Sequence, residues 1–90
     1  MENNNRFERN QFTFYKSFYE VFEEVGKVAN ESTQLKLYKA VIRFGLYGAD
    51  TDLRDDSKLA DSIYKLIRPI LASGRKKAET RKNNLLKKQI

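Results

Sequence analysis

Apolar residues recur at every third or fourth position along most of the chain, and this spacing predicts helices. The first predicted helix has Thr13 as its N-cap and runs to about Val25, with Gly26 as its stop. One face carries the i, i+4, i+7, i+8, i+11 series Phe14, Phe18, Val21, Phe22 and Val25. We therefore expect its aromatic side chains to pack in the core rather than stack on bases, with Tyr15 and Tyr19 nearest the surface.

The second predicted helix begins at an N-cap of Ser32 or Thr33, runs to about Tyr47 and ends at Gly48. Apolar residues cover most of its circumference, which is typical of a central, buried helix. Gly45 inside this pattern indicates a place where another helix crosses closely, since glycine otherwise weakens a helix by up to about 1 kcal/mol.

The third predicted helix follows an acidic loop, with Asp56 or Ser57 as its N-cap. Its apolar face consists of Leu59, Ile63, Leu66, Ile67 and Ile70. Pro69 lies inside this pattern, where proline removes a helical hydrogen bond and crowds the preceding turn. It either kinks one long helix or begins a separate fourth helix, and we favour one kinked helix that continues to Lys88.

These elements predict an all-α fold, a small bundle of three to four helices with a long, kinked, basic C-terminal helix. Residues 1–11 are Asn-rich and are expected to be flexible, residues 12–72 form the helical domain, and residues 73–90 form a basic helical extension. A helix from Ser57 to Lys88 would be about 48 Å long at roughly 1.5 Å per residue, so its last turns would project past the two shorter helices.

Charge divides the chain into two unequal parts. Residues 1–72 hold 11 Lys and Arg against 11 Asp and Glu, whereas residues 73–90 supply the whole formal net charge of +6. The candidate nucleic-acid-binding residues are the seven cations of this tail: Arg75, Lys76, Lys77, Arg81, Lys82, Lys87 and Lys88. They occur on all sides of a helical projection, which favours contact with the phosphate backbone of DNA or RNA over base readout.

Other interpretations of the tail stay open. It could bind an acidic protein surface, or it could be a solvated terminus that aids solubility. A homodimer is a further hypothesis, because the 3–4 spacing of the tail has small residues in its middle that would let two helices approach: Ile67, Leu71, Gly74, Ala78 and Leu85.

Several classes of function find no support in the sequence. The chain has no Cys and no His, which removes disulfides, zinc–thiolate sites and the commonest general base. The acidic loop lacks the central glycine and terminal glutamate of a calcium loop, so turn formation and capping explain its four carboxylates: Asp50, Asp52, Asp55 and Asp56. We predict no enzymatic activity, no cofactor and no metal site. With no apolar run long enough to span a membrane and no secretory signal, a cytoplasmic protein without a membrane partner is expected.

The chain also resembles a family of small phage and prophage proteins of unknown function over about residues 12–80. The shared patterns are F-x-x-Y-x-S/D-x-x-E at the start, L-x-x-A-I-x-x-Y-x-x-x-G in the second helix and I-x-P/R-x-I/L in the third. The matching positions are Phe12, Tyr15, Ser17, Glu20, Leu37, Ala40, Val41, Phe44, Gly48, Ile67 and Pro69.

The resemblance implies a setting in phage replication or early regions, in the cytoplasm of a bacterial host, because some members resemble the N-terminal part of replication-initiation proteins. This chain has the basic tail but no glycine-rich segment and no following winged-helix domain. We therefore expect a non-enzymatic accessory protein that binds nucleic acid through its basic C-terminal helix. The alternative is a module that binds and modulates a host or phage replication, regulatory or defence protein.

Overall fold

The computed structural model describes the backbone of residues 8–88 and the side chains of residues 8–85. Within that range the only regular elements are three helices, α1 (Lys16–Val28), α2 (Glu31–Tyr47) and α3 (Lys58–Lys88). The all-α fold with a long C-terminal helix is therefore confirmed. α2 lies between the other two, because it packs against both α1 and α3 while those two meet only briefly.

α1 begins later and ends later than its sequence predicts. Its N-cap is Tyr15 rather than Thr13, and it continues through Gly26 to Val28. The preceding residues are non-helical because Phe12 and Phe14 leave the helical register and pack on the core directly. Gly26 is a point of close approach rather than a stop, since a Cβ built there would lie 2.8 Å from the side chain of Gln34 on α2.

The two ends of α2 are capped by different residue types. The N-cap is Asn30, not Ser32 or Thr33, and its side-chain oxygen accepts a hydrogen bond of 2.7 Å from the backbone N–H of Thr33. That N–H is one of the donors with no partner inside the helix. At the other end Gly48 adopts φ 71°, the left-handed conformation, and its N–H donates to the Phe44 carbonyl. The predicted stop at Gly48 is confirmed.

The core is formed by all three helices and one loop residue. Twelve buried side chains make one cluster: Phe18, Phe22, Val25, Leu37, Ala40, Val41, Phe44, Leu53, Ala60, Tyr64, Ile67 and Leu71. The ring of Phe14 makes T-shaped contacts with Phe18 and Phe22 at centroid distances of 5.6 and 5.9 Å. Tyr15 and Tyr19 are about half exposed, as predicted.

The predicted apolar face of α3 was partly wrong, because Ile67 is buried and Ile63 packs against the core, but Leu59, Leu66 and Ile70 are exposed. The residues that face the core are Ala60, Tyr64, Ile67 and Leu71, whereas Leu66 is 74% exposed. Tyr64 determines this register because its ring is buried while its hydroxyl donates a 2.8 Å hydrogen bond to Asp50 in the preceding loop. The core-facing side of α3 thus includes a buried tyrosine with a satisfied hydroxyl, which the spacing of leucine and isoleucine did not predict.

α3 is one continuous helix through Pro69, so the alternative of a separate fourth helix was wrong. Pro69 lacks the N–H that would bond the carbonyl of Lys65, four residues earlier. Both residues lie on the exposed side of α3, where water can reach that carbonyl. The helical hydrogen bond that Pro69 cannot make is therefore missing at a position where water can replace it.

The acidic loop before α3 serves turns and ion pairs. Asp52 accepts hydrogen bonds from Arg54, and Asp56 pairs with Lys36 of α2 at 2.8 Å. Ser57 accepts from the N–H of Ala60 and caps α3, as one of the two predicted N-caps. At about 1.5 Å per residue α3 is roughly 46 Å long, against roughly 26 Å for α2. Its C-terminal turns accordingly extend beyond the core.

Candidate nucleic-acid interface

Four of the seven predicted cations have exposed side chains on the projecting half of α3: Lys76, Lys77, Arg81 and Lys82. Arg75 is half-buried. Lys87 and Lys88 belong to the backbone of α3, but their side chains lie outside the described residues.

Six residues of α3 form one surface, which we call the basic face: Ser73, Lys76, Lys77, Thr80, Arg81 and Asn84. They follow the i, i+3, i+4, i+7, i+8, i+11 series and therefore share one side of the helix. They surround a shallow depression of about 450 Å³. None of these six described residues is acidic, and the hydroxyl and amide groups add neutral hydrogen-bond donors to the three cations.

Arg75 lies on a different side of α3 and contacts the end of α2. Its Nη1 donates a hydrogen bond of 3.1 Å to the carbonyl oxygen of Gly45. The guanidinium also lies against Gly48, where a built Cβ would be 2.9 Å from Nη2. By helical register Lys82 follows Arg75 on that side, two turns later. The cations are thus divided between two sides of the helix.

A groove runs between the N-terminal segment 9–15 and α3, with a volume of about 640 Å³. The lining residues come from the segment, from α2 and from α3: Arg9, Phe12, Thr13, Tyr15, Gly45, Pro69, Ile70, Leu71, Ser73, Gly74, Lys77, Ala78 and Arg81. Ser73, Lys77 and Arg81 belong to the basic face as well, so the groove and the basic face are continuous.

Gly45 shapes the floor of this groove. A Cβ built on it would lie 2.6 Å from ring atoms of Phe12. The close approach at Gly45 is made by the ring of Phe12 on a non-helical segment, not by the crossing helix that the sequence predicts. The backbone N–H of Arg9 holds the same segment to α2 by donating to the Leu46 carbonyl at 2.7 Å.

The N-terminal wall of the groove, Arg9 to Tyr15, was not predicted from the sequence. Residues 8–11 belong to the part expected to be flexible, yet Arg9 is hydrogen-bonded to α2. One signal was available, because Phe12 and Phe14 alternate with polar Thr13 at a period of two. That period is typical of an extended segment with one buried face.

Two polar clusters away from the groove stabilise the body. Asp50 accepts hydrogen bonds from Tyr64 and from both Nε and Nη2 of Arg68, whose guanidinium lies 4.7 Å from the centre of the Phe44 ring. The hydrogen bonds from Arg68 lower the pKa of Asp50, and they exceed the opposing effect of burial. Burial, followed by the hydrogen bond to Asp50, raises the pKa of Tyr64.

The second cluster joins α1 to α2. Glu23 accepts a hydrogen bond from the hydroxyl of Tyr38 at 3.0 Å and one from the amide of Gln34 at 2.9 Å. Burial and then the hydrogen bond to Glu23 raise the pKa of Tyr38 to about 12. The Asp50 cluster holds the loop before α3 to that helix, and the Glu23 cluster joins α1 to α2.

Among the described residues no group of three or more acidic side chains is placed to hold a metal ion. In the same part of the chain no helix combines the length and apolarity needed to cross a membrane.

Comparisons with protein-family models, with curated proteins and with solved structures each return no significant match. The resemblance to small phage and prophage proteins therefore stays a hypothesis that rests on the motifs alone.

Proposed function

We propose that this chain is a non-enzymatic nucleic-acid-binding protein whose basic face contacts the phosphate backbone. The observation that carries the proposal is the clustering of Lys76, Lys77 and Arg81 on one exposed side of α3, beside hydroxyl and amide donors. Polyanions attract such a face because cations that neutralise phosphates release condensed counterions.

The arrangement favours backbone contact. Lysine, arginine, serine, threonine and asparagine are all common donors to phosphate oxygens, and the basic face presents these types on one side of the helix. The folded body offers no comparable surplus, because the cations and carboxylates of residues 1–72 balance. The electrostatic attraction of a polyanion is therefore strongest at the projecting half of α3.

The direct test compares a variant that lacks the three cations of the basic face with a variant that lacks three cations elsewhere. The test variant is Lys76→Gln, Lys77→Gln and Arg81→Gln together. The control variant is Lys16→Gln, Lys27→Gln and Lys39→Gln, three exposed cations of α1 and α2.

Affinity for a fluorescently labelled oligonucleotide is measured by anisotropy at low salt. We expect the test variant to bind at least roughly tenfold more weakly, and the control variant to stay within a few-fold of the parent. Equal losses in both variants would show that only net charge matters and would contradict a dedicated basic face.

The proposal extends to an accessory role in phage replication or its regulation, in the cytoplasm of a bacterial host. The motif resemblance and the basic tail support this setting. Chromatin-type immunoprecipitation from infected cells, compared with uninfected cells that express the protein, would detect enrichment on replicating phage DNA.

One observation favours a second candidate, a protein-binding role. α3 leaves three apolar side chains exposed along one side, Leu59 at 40%, Leu66 at 74% and Ile70 at 48%. Such a stripe is typical of a helix that packs against another protein, including a second copy of this chain. Sedimentation of the parent and of a Leu66→Lys variant, after nuclease treatment, tests for self-association through it.

A further inference from the structure

We infer that the groove receives an unstacked base, so that the protein binds single-stranded nucleic acid in preference to duplex. This inference rests on the proposed function, because the basic face must first hold the phosphate backbone. It adds a second element of recognition, which acts on the base rather than on the phosphate.

The walls of the groove suit the flat face of a base. Tyr15 is 48% exposed, and its ring makes a T-shaped contact with Phe18, with centroids 5.2 Å apart. Phe12 lies beside it on the N-terminal segment, and Pro69 and Ile70 supply the opposite apolar wall on α3. Aromatic side chains beside a cationic channel are the common means by which proteins bind single strands without strong sequence preference.

Three cations make this apolar groove suitable for a polyanion in particular. Arg9 lies on the N-terminal side, and Lys77 and Arg81 lie on α3, where they also belong to the basic face. A strand whose phosphates follow the basic face therefore reaches the groove without a break in positive charge. Thr13 and Ser73 add hydroxyl groups that can bond base edges.

Size and base stacking explain the preference for single strands. The groove volume of about 640 Å³ falls within the range of roughly 300–1,000 Å³ typical of small-molecule sites. In a duplex the bases are paired and stacked, so filling the groove would require one to be extruded at an energetic cost. A single strand presents its bases without that cost.

Gly74 allows the groove to be filled without disturbing the fold. A Cβ built on Gly74 meets no atom within 4 Å, although the residue lines the groove. The test variant Gly74→Leu places a large side chain in the space proposed for the base. The control variant Gly74→Ala adds only a methyl group, and both replace a glycine that weakens the helix.

A second pair of variants tests the aromatic wall. Tyr15→Leu removes the ring that would stack, and Tyr19→Leu removes a ring of similar exposure, 53%, that lies one turn further along α1 and outside the groove. Thermal melting of all four variants separates loss of binding from loss of folding.

Anisotropy is measured with a labelled single strand of about 15 nucleotides and with a hairpin duplex of matched length. We expect the parent to prefer the single strand by roughly tenfold, and Gly74→Leu and Tyr15→Leu to lose roughly tenfold in affinity for it. The Tyr19→Leu control should keep single-strand affinity, Gly74→Ala should lose less of it than Gly74→Leu, and all four variants should keep duplex affinity.

Equal binding of single strand and duplex, or unchanged single-strand binding by Gly74→Leu, would overturn the inference while leaving the proposed function in place. Absence of binding to either probe would instead overturn the proposed function itself.

Discussion

Arg75 donates a hydrogen bond through Nη1 to the carbonyl oxygen of Gly45, and this contact joins the start of the basic tail to the end of α2. The last four carbonyls of a helix have no partner inside it and carry the negative end of the helix dipole. Here Arg75 binds Gly45, while the N–H groups of Gly48 and Arg9 bind Phe44 and Leu46. The first cation of the tail therefore belongs to the fold.

Replacing Arg75 should destabilise the protein more than replacing its exposed neighbour. We expect Arg75→Met to lower the free energy of unfolding by about 1–2 kcal/mol, because it removes a charge-assisted hydrogen bond and leaves the Gly45 carbonyl without that donor. Lys76→Met, at an exposed position, should change it by less than about 0.5 kcal/mol. Urea denaturation of both variants checks this difference, and equal small effects would mean that the Arg75 contact contributes nothing.

Alanine at each of the two helical glycines beside the groove should change the stability of the protein in opposite directions. Gly45→Ala should be destabilising by about 1 kcal/mol or more, because the clash with the Phe12 ring exceeds the gain in helix propensity. Gly74→Ala should be stabilising by up to about 1 kcal/mol, because open space surrounds the added methyl group. Thermal melts decide the matter, and a stabilising Gly45→Ala would show that Phe12 does not pack there.

Asn30, the N-cap of α2, should contribute to the stability of the protein. Asn30→Ala should cost about 1 kcal/mol, since it removes the acceptor for the Thr33 N–H. Ser32→Ala, at the position that the sequence favoured, should be within about 0.5 kcal/mol of the parent. If the order of the two effects is reversed in chemical denaturation, the assignment of the cap is wrong.

The ion pair of Asp50 with Arg68 should make stability depend on acid pH. Because hydrogen bonds from Arg68 lower the pKa of Asp50 in the fold, this carboxylate stabilises the protein above its ordinary pKa of 3.8. That contribution is lost as the pH falls below this value and through the folded-state pKa. In Asp50→Asn the part of the acid-induced loss that comes from this group should be absent.

The measurement is the urea midpoint of the parent and of Asp50→Asn between about pH 6 and about pH 2.5. Asp55→Asn removes the same charge from the same loop and serves as the control. The difference between parent and Asp50→Asn should shrink as the pH falls. A constant difference would argue against a stabilising Asp50 carboxylate.

The helices were predictable because their cause is local. Spacing of apolar residues and the glycine at position 48 placed the body of α2 and its C-terminal end correctly, although not its N-cap, and the surface position of Tyr15 and Tyr19 followed from the same periodicity. The register of α3 was not predictable in this way. It depends on the hydrogen bond from Tyr64 to Asp50 in the preceding loop. These residues are 14 positions apart, and helical periodicity does not predict a contact between them. The bend at Pro69 stays a prediction.

The groove was not predicted either, because it also depends on contacts between residues that are far apart in sequence. Its N-terminal wall packs on α2 through Phe12 and Gly45, which are far apart in sequence, and a short extended segment has no helical pattern. The seven tail cations were identified from composition, but composition could not separate Arg75, which binds α2, from the basic face. Deleting residues 75–90 would therefore remove a stabilising contact together with the charge, and substitutions on the basic face are the cleaner test.

Phosphate binding by the basic face is tested most sharply by the salt dependence of oligonucleotide binding, measured for the parent and for the Lys76→Gln, Lys77→Gln, Arg81→Gln variant. Each phosphate contact adds about 0.7 to the slope of log K against log salt for a single strand, and about 0.9 for duplex DNA. We expect a slope shallower by about 2 for the test variant on a single strand, because three phosphate contacts are lost. The Lys16, Lys27 and Lys39 control should keep the parent slope. Identical slopes in the parent and in the test variant would contradict phosphate binding by the basic face.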